Sequence, residues 1–217
     1  TRVDRIRLAD RVPFPKVILG WITPSLLQPG DAELDILSLV LSQGKASRLY
    51  RSLVYKQNVA QNVSAYQQSA MAGSMFVVSA MASGKHTAEA VEKALWAELE
   101  RIAKRGVTAK ELRRAKTVQE TQSLRSLQTL SARADLLQAY HLYAGDPGYL
   151  AKDLARYRRV TRRSVQRAAQ RLAAEVGHRP HRRALDVPPR AAQPVGVEHG
   201  AADVGRRVAR ALAAGHR

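Results

Sequence analysis

The sequence contains no cysteine, which excludes disulfides, thiolate catalysis and cysteine-based metal sites. Aromatic residues make up only 5% of the chain, so leucine, valine and alanine must fill most of a core, and 45% hydrophobic residues suffice for one. No apolar run reaches the ~18 residues of a membrane-spanning helix. The opening is charged from Arg2 onward. This predicts no signal peptide, in a chain that is either a mature protein or a piece cut from a longer one.

Acidic residues are scarce, because 36 Lys and Arg stand against 18 Asp and Glu and leave a net charge of +18 that favours acidic partners. Part of the excess lies in residues 176–217, which hold eight Arg but no Lys, Ile, Phe or Tyr. This composition is typical of a tail that binds nucleic acid or anionic lipid, of a poorly ordered extension, or of a GC-rich gene read in a shifted frame. We predict one domain over residues 1–175 and a basic Ala/Arg/Pro-biased tail over residues 176–217.

Residues 42–65 combine a turn at Gly44, a short helix and a strand. Leu49, Leu53 and Val54 have the spacing of one helix face. Asn58 is predicted to stop the helix, because asparagine tolerates the left-handed conformation that a helix end needs. The alternation that follows predicts a strand over residues 59–65.

The remaining pattern predicts strands before the middle of the chain and helices after it. Strands are predicted over residues 3–8, 17–22 and 74–82, the last joined to residues 59–65 as a hairpin or meander. Helices are predicted with caps at Asp31, Thr87, Thr108 and Thr161, with a break near residues 126–131 and another helix over residues 147–159. The fold class is therefore α+β, an antiparallel-rich sheet packed on one face by helices.

The segment GKASRLYRSL, which begins at Gly44, resembles the G-x-x-S-R-L-(Y/F)-x-x-L motif of the pitrilysin/insulinase zinc metallopeptidases, the inverzincins. Further matches occur at residues 29–35, 106–116, 145–147 and 157–166, so the resemblance covers about residues 12–175. It implies an α+β half unit that pairs with a homologous unit, like a clamshell, around a closed chamber where unfolded or short peptides are cut.

The resemblance implies a zinc site made of the two His of H-x-x-E-H, one turn apart, and a downstream Glu ligand. The Glu inside the motif takes a proton from the bound water. This sequence has no H-x-x-E-H, since His178 and His181 enclose Pro180 without a Glu, and His86 and His141 stand alone. The resemblance therefore implies the C-terminal, non-zinc unit. We expect no metal, cofactor-binding or catalytic residue here, zinc in a missing N-terminal domain, and no enzyme activity from this fragment alone.

The resemblance also implies an Arg and a Tyr, seven positions apart in L-R-x-x-x-G-L-x-Y, that steady the developing oxyanion. Laid from Leu53, the pattern places Val54 at the Arg and Gln61 at the Tyr. The Val54 side chain cannot donate a hydrogen bond, and the amide of Gln61 is not the phenol that the pattern has at that position. One interpretation is a zinc-bearing type of chain whose donors come from a homologous partner subunit. The other is a scaffold subunit with neither zinc nor donors.

The implied partners are the N-terminal zinc domain of the same protein, a homologous subunit that carries the Arg/Tyr pair, and a peptide substrate. Nucleic acid is not expected as a partner, and family resemblance suggests the periplasm. A second class of function is a module that binds nucleic acid or an anionic surface through Arg163, Arg167 and Arg171, which share a helix face. An interaction domain unrelated to peptidases is a third.

Overall fold

The computed structural model describes residues 5–8, 12–176 and 184–187. The chain divides into two compact units, Phe14–Ala174 and a second formed from Thr1–Pro13 with Glu175–Arg217. Most of the predicted tail, residues 177–183 and 188–217, lies outside the described residues. No helix among the described residues is long and apolar enough to cross a membrane.

The elements follow the predicted order. The strands are β1 (Arg5–Leu8), β2 (Lys16–Thr23), β3 (Ala60–Gln68), β4 (Ser74–Ala82) and β5 (Ala184–Val187). The helices are α1 (Asp31–Ser42), α2 (Ala88–Arg105), α3 (Ala109–Arg125), α4 (Leu130–Ala144), α5 (Leu150–Arg159) and α6 (Arg162–Val176), with a π-helix over Tyr50–Lys56. In the second unit, β1 and β5 pair in parallel, with Arg5 opposite Ala184.

The larger unit is built on a three-stranded antiparallel sheet in which β4 lies between β2 and β3. Ile22 of β2 lies opposite Met75 of β4, and Tyr66 of β3 lies opposite Val77. A bulge interrupts the β3–β4 ladder between Ala60 and Asn62. The predicted antiparallel pairing of β3 with β4 is confirmed.

Helices α1 and α2 pack on one face of this sheet and bury their apolar stripes. The buried helix residues are Leu34, Leu37, Val40, Leu41, Val91, Leu95, Leu99 and Ile102. Trp21 of β2 contacts Phe76 and Trp96, and its Nε1 donates to the Leu172 carbonyl at 3.0 Å, which attaches α6 to the same core. The predicted α+β fold class is confirmed.

The short helix predicted after Gly44 is a π-helix rather than an α-helix. The Gln57 N–H donates to the Ser52 carbonyl, five residues back, at 3.0 Å, so each turn holds an extra residue. Asn58 has a φ of 50° and the Val59 N–H donates to the Leu53 carbonyl at 2.9 Å, which confirms Asn58 as the stop.

The prediction that Asp31 caps α1 is wrong. Gly30 occupies the cap position with a φ of 105°, and the helix begins at Asp31. The Asp31 carboxylate instead accepts the Leu27 N–H at 3.1 Å and the Ser69 hydroxyl at 2.6 Å. A bond to the preceding turn and one to the distant Ser69 therefore replace the capping bond that the sequence suggested.

Candidate functional site

The sheet has one apolar face that is exposed to solvent, and we call it the open face. It is defined by Ile18 and Ile22 of β2, Tyr66 of β3 and Met75 of β4, whose exposed fractions are 48%, 80%, 47% and 39%. Their immediate neighbours along the strands, such as Trp21 and Phe76, point to the helices and are buried. Strand alternation thus places one apolar set in the core and leaves a second set accessible.

The middle of the open face carries hydroxyl groups. Ser64 and Ser79 lie opposite each other on β3 and β4, and their hydroxyls share a hydrogen bond of 2.9 Å. Gly20, opposite Val77 on β2, adds no side chain beside them. The open face therefore offers apolar contacts around a weakly polar centre.

Val54 and Gln61 lie close to this sheet but contribute little polar chemistry. Val54 is half-buried in the π-helix, while the exposed Gln61 sits at the bulge that starts β3. The Gln61 Nε2 donates to the Ala82 carbonyl at 2.9 Å, so one amide proton is already engaged in the sheet. At these two positions the chain offers an aliphatic group and a partly satisfied amide.

Arg48, the first of the two arginines in the GKASRLYRSL segment, makes a contact within the fold. Arg48 donates from Nε and Nη2 to the two carboxylate oxygens of Glu111, both at 2.7 Å, and from Nη2 to the Gly106 carbonyl at 3.0 Å. Thr108 and Glu111 also form the predicted capping box of α3. Burial raises the pKa of Glu111, but the bonds from Arg48 and Thr108 outweigh it and lower that pKa to about 2.

A second polar cluster joins α1 to α5. The Asp31 side chain is 1% exposed and accepts from Arg156 Nη1 at 3.2 Å, while Arg156 also pairs with Asp153 at 2.7 Å. The Tyr157 hydroxyl donates to Asp35 at 2.8 Å. Sequence reasoning missed this cluster, because 125 positions separate Arg156 from Asp31 and no local pattern links them.

Asp35 titrates far above the ordinary range of a carboxyl. Burial raises its pKa from 3.8 to about 7, against the hydrogen bond from Tyr157, which lowers it, and with a further increase from the negative charge of Asp31. The cluster lies between α1 and α5 and is not part of the open face. Its role is to fix the helices, because every described polar partner belongs to the fold.

The described residues do not fit a zinc ion. They contain no group of three or more His, Cys, Asp or Glu side chains placed to hold a metal. His86 and His141 are both exposed, His86 in the connection before α2 and His141 in α4, and His178 and His181 lie outside the described residues. The implied zinc chemistry therefore finds no ligand set in the described part of this chain.

These features define a class, an α+β unit with no metal-ligand group among the residues described. A family model for the peptidase M16 inactive domain matches residues 1–119. The chain belongs to this family of inactive peptidase domains, which confirms the predicted resemblance to the non-zinc unit of zinc metallopeptidases.

Similar proteins include zinc proteases. Zinc protease PqqE of Helicobacter pylori (strain ATCC 700392 / 26695) is 30% identical over 131 residues, which are 60% of this chain and 30% of that protein. A protease structure from Helicobacter pylori has a TM-score of 0.69 and 26% identity, over 77% of this chain and 41% of that one. The chain thus spans less than half the length of these two relatives.

Solved structures of inactive peptidase domains share the fold. A peptidase M16 inactive domain from Pseudomonas fluorescens has a TM-score of 0.67 with 18% identity, over 88% of this chain and 45% of that one. An inactive peptidase domain from Bordetella parapertussis has a TM-score of 0.66 with 22% identity, over 73% of this chain and 85% of that one. At these identities the similarity establishes the fold alone.

Proposed function

We propose that this inactive domain forms one wall of a peptide-binding chamber in a zinc protease. The zinc lies in a separate N-terminal domain of the same protein, and a homologous partner subunit supplies the oxyanion donors. The observation that carries the proposal is the open face, an exposed apolar sheet surface in a member of a peptidase family. An exposed apolar wall suits the apolar side chains that an unfolded peptide presents.

The missing donors support the partner-subunit part of the proposal. Oxyanion stabilisation needs preorganised hydrogen-bond donors aimed at the developing charge. Val54 has none, and Gln61 commits an amide proton to the Ala82 carbonyl. A second subunit with an Arg and a Tyr at the equivalent positions would restore this contribution. Under the scaffold interpretation, both the oxyanion donors and the zinc would come from another chain.

Peptidase assays separate these two versions. The complete gene product is purified with bound zinc and assayed on an unstructured fluorogenic peptide, alone and with the homologous subunit encoded beside it. We expect cleavage only from the mixture. Full activity from the complete gene product alone would contradict shared donors, and a product that binds no zinc would assign this chain to the scaffold version.

Crosslinking tests the chamber wall directly, because the chain has no cysteine and accepts single labelling sites. Ile22→Cys and Met75→Cys carry a photoreactive maleimide on the open face, and Ala97→Cys carries it on an exposed position of α2. The assembled protease, with its metal chelated, is irradiated with a biotinylated unstructured peptide. Crosslinks should form from the two open-face sites and not from Ala97→Cys; equal yields from all three would reject the wall.

A second candidate function rests on α6, where Arg163, Arg167 and Arg171 are exposed along one face. An arginine row of this kind suits the phosphates of a nucleic acid. Binding of a 30-mer duplex is measured at increasing salt, with Arg163→Gln/Arg167→Gln as the variant. A steep loss of affinity with salt that the variant reduces would favour this function, and a flat response would exclude it.

A further inference from the structure

The open face has a positive charge at one end. Of the described residues in β2, β3 and β4, Lys16 is the one with a charged side chain. It lies two residues before Ile18 and six before Ile22, so strand alternation places it on the same side of the sheet as these two. It is exposed and lies opposite Met81 of β4. The open face is therefore apolar at the Ile22 end and cationic at the Lys16 end.

Backbone hydrogen bonds bring the connections of all three strands together at the Lys16 end. The Ala82 N–H donates to the Pro15 carbonyl at 2.9 Å, which joins the end of β4 to the residue before β2. The Ser83 N–H donates to the Val59 carbonyl at 2.9 Å, which joins the same connection to the residue before β3. Side chains on these connections therefore lie at the same end of the sheet as Lys16.

The connections add more positive charge and no negative charge. Lys56 closes the π-helix before β3, Lys85 follows β4, and both are exposed. Like Lys16, neither forms an ion pair with a described residue. No Asp or Glu occurs in residues 12–30 or 43–88, the two segments that contain all three strands. We call Lys16, Lys56 and Lys85 the basic end.

The acidic residues that flank these segments in the sequence belong to other parts of the fold. Asp31 begins α1 and accepts from the Ser69 hydroxyl, which lies just beyond the other end of β3. Glu89 lies in the first turn of α2, and α2 packs on the opposite face of the sheet. Within the described part of the chain, the basic end is left without an acidic partner.

We propose that the open face selects peptides that carry an acidic residue about six positions from an apolar one, with the carboxylate at Lys16 and the apolar side chain against Ile22 and Met75. This rests on the proposed function, in which the open face is a wall of the chamber. Lys16 and Ile22 are six residues apart on one strand, or about 20 Å at ~3.3 Å per residue. An extended peptide covers that distance with the same number of residues.

Charge complementarity gives the selection its direction. A carboxylate that loses water beside Ile18 or Ile22 gains no counter-charge, whereas at Lys16 it exchanges part of its hydration for a cation. A peptide lysine in that position would meet like charge, which an interface disfavours. The acidic residue therefore fixes the position of the peptide along the wall.

Peptide binding to the assembled protease tests this selection. The complete gene product and its homologous subunit, with the metal chelated to prevent cleavage, are added to fluorescent unstructured peptides that carry Glu, Gln or Lys six residues from a Leu-Leu pair. Fluorescence anisotropy should show the Glu peptide binding at least about threefold tighter than the Gln peptide, and the Lys peptide weaker than both. A Glu placed three residues from the pair should lose most of this advantage.

Charge variants identify the residue that selects. Lys16→Glu should reverse the order, so that the Lys peptide binds at least about threefold tighter than the Glu peptide. Lys16→Met, which removes the charge alone, should bind the Glu and Gln peptides within about twofold of each other. Lys93→Glu is the matched control, because it makes the same change of charge at an exposed position of α2, and it should keep the wild-type order. Thermal melting checks that all three variants fold.

The results separate this proposal from the one on which it rests. Equal binding of the Glu and Gln peptides, or an order that both Lys16 variants leave unchanged, overturns selection by Lys16. A reversal that Lys93→Glu produces equally assigns the preference to net charge and also overturns it. If peptide still crosslinks to labelled Ile22→Cys, these failures leave the chamber wall in place, whereas the loss of both crosslinking and peptide preference rejects the wall as well.

Discussion

Arg48 holds Glu111 through two parallel hydrogen bonds of 2.7 Å, although 63 positions separate the two residues. The same guanidinium binds the Gly106 carbonyl, so one side chain joins the turn before the π-helix to the junction of α2 and α3. Arg48 therefore has a structural role in this unit, since its donors are engaged within the fold.

Replacing Arg48 by lysine should lower the free energy of unfolding by ~1–3 kcal/mol, because an ammonium cannot form both carboxylate bonds and the carbonyl bond together. Lys104→Met is the comparison, since it breaks an exposed pair with Glu100 and should cost under about 0.5 kcal/mol. Urea unfolding of both variants measures the difference. Equal effects would show that Arg48 contributes no more than a surface charge.

Replacing Arg156 by methionine should cost ~3–5 kcal/mol, because it leaves the buried Asp31 carboxylate without its cation. Arg158→Met is a matched substitution two residues away that breaks an exposed pair with Glu120. It should cost less than about 1 kcal/mol. Thermal and urea unfolding measure both, and a small effect of Arg156→Met would mean that Ser69 and the Leu27 N–H suffice for Asp31.

Two carboxyls should give the unfolding free energy opposite pH dependences. Asp35 has its pKa raised from 3.8 to about 7, so its stabilising contribution is complete below pH 3.8 and is lost as pH rises through 7. Glu111 has its pKa lowered from 4.5 to about 2, so its contribution is complete above pH 4.5 and is lost as pH falls towards 2.

Urea unfolding from pH 3 to pH 8 measures these slopes in single variants. Asp35→Asn should remove a decline in stability between pH 4 and pH 7, because the amide still accepts the Tyr157 hydroxyl but does not titrate. Glu111→Gln should remove part of the acid loss below pH 4.5. Wild-type slopes in either variant would contradict the assignment of that titration.

Gly106 and Gly44 both have positive φ, 69° and 73°, but they differ in backbone conformation and in what an added side chain would meet. The ψ of Gly106 is −166°, which puts it in a region essentially restricted to glycine. A Cβ on Gly106 would lie 3.1 Å from the Gln166 Oε1, which is held by a bond from Gln166 to the Ala103 carbonyl, whereas one on Gly44 would meet nothing within 4 Å. Gly44→Ala should destabilise by ~1 kcal/mol and Gly106→Ala by ~2–3 kcal/mol in urea unfolding. Equal losses would show that neither the backbone of Gly106 nor its contact with Gln166 adds a cost.

Local signals in the sequence predicted the elements well. The cap at Thr108 and the stop at Asn58 both depend on neighbours within a few positions, and each is confirmed. The predicted break between α3 and α4 is also confirmed, because Thr129 starts a new helix by accepting from the Ala132 N–H.

Features that depend on distant residues could not be predicted in the same way. Alternation separates the two faces of β2, but both faces carry apolar residues, and only the packed helices decide that Trp21 is covered and Ile22 exposed. The Asp31 carboxylate was misassigned as a cap because its partners, Ser69 and Arg156, lie on other elements. Leu49 and Leu53 fit an ordinary helix spacing, so the π-helix left no sign in the pattern.

In the π-helix over Tyr50–Lys56, the number of residues between two positions is a poor guide to the distance between them. Closing a turn with one additional residue lets a segment lengthen by a single codon while the strand that follows keeps its place in the sheet. Between Val54 and Gln61, the π-helix and the bulge at Ala60 both change how many residues span a given distance. Homologous positions in related domains should therefore be matched here by superposed backbones rather than by counting letters.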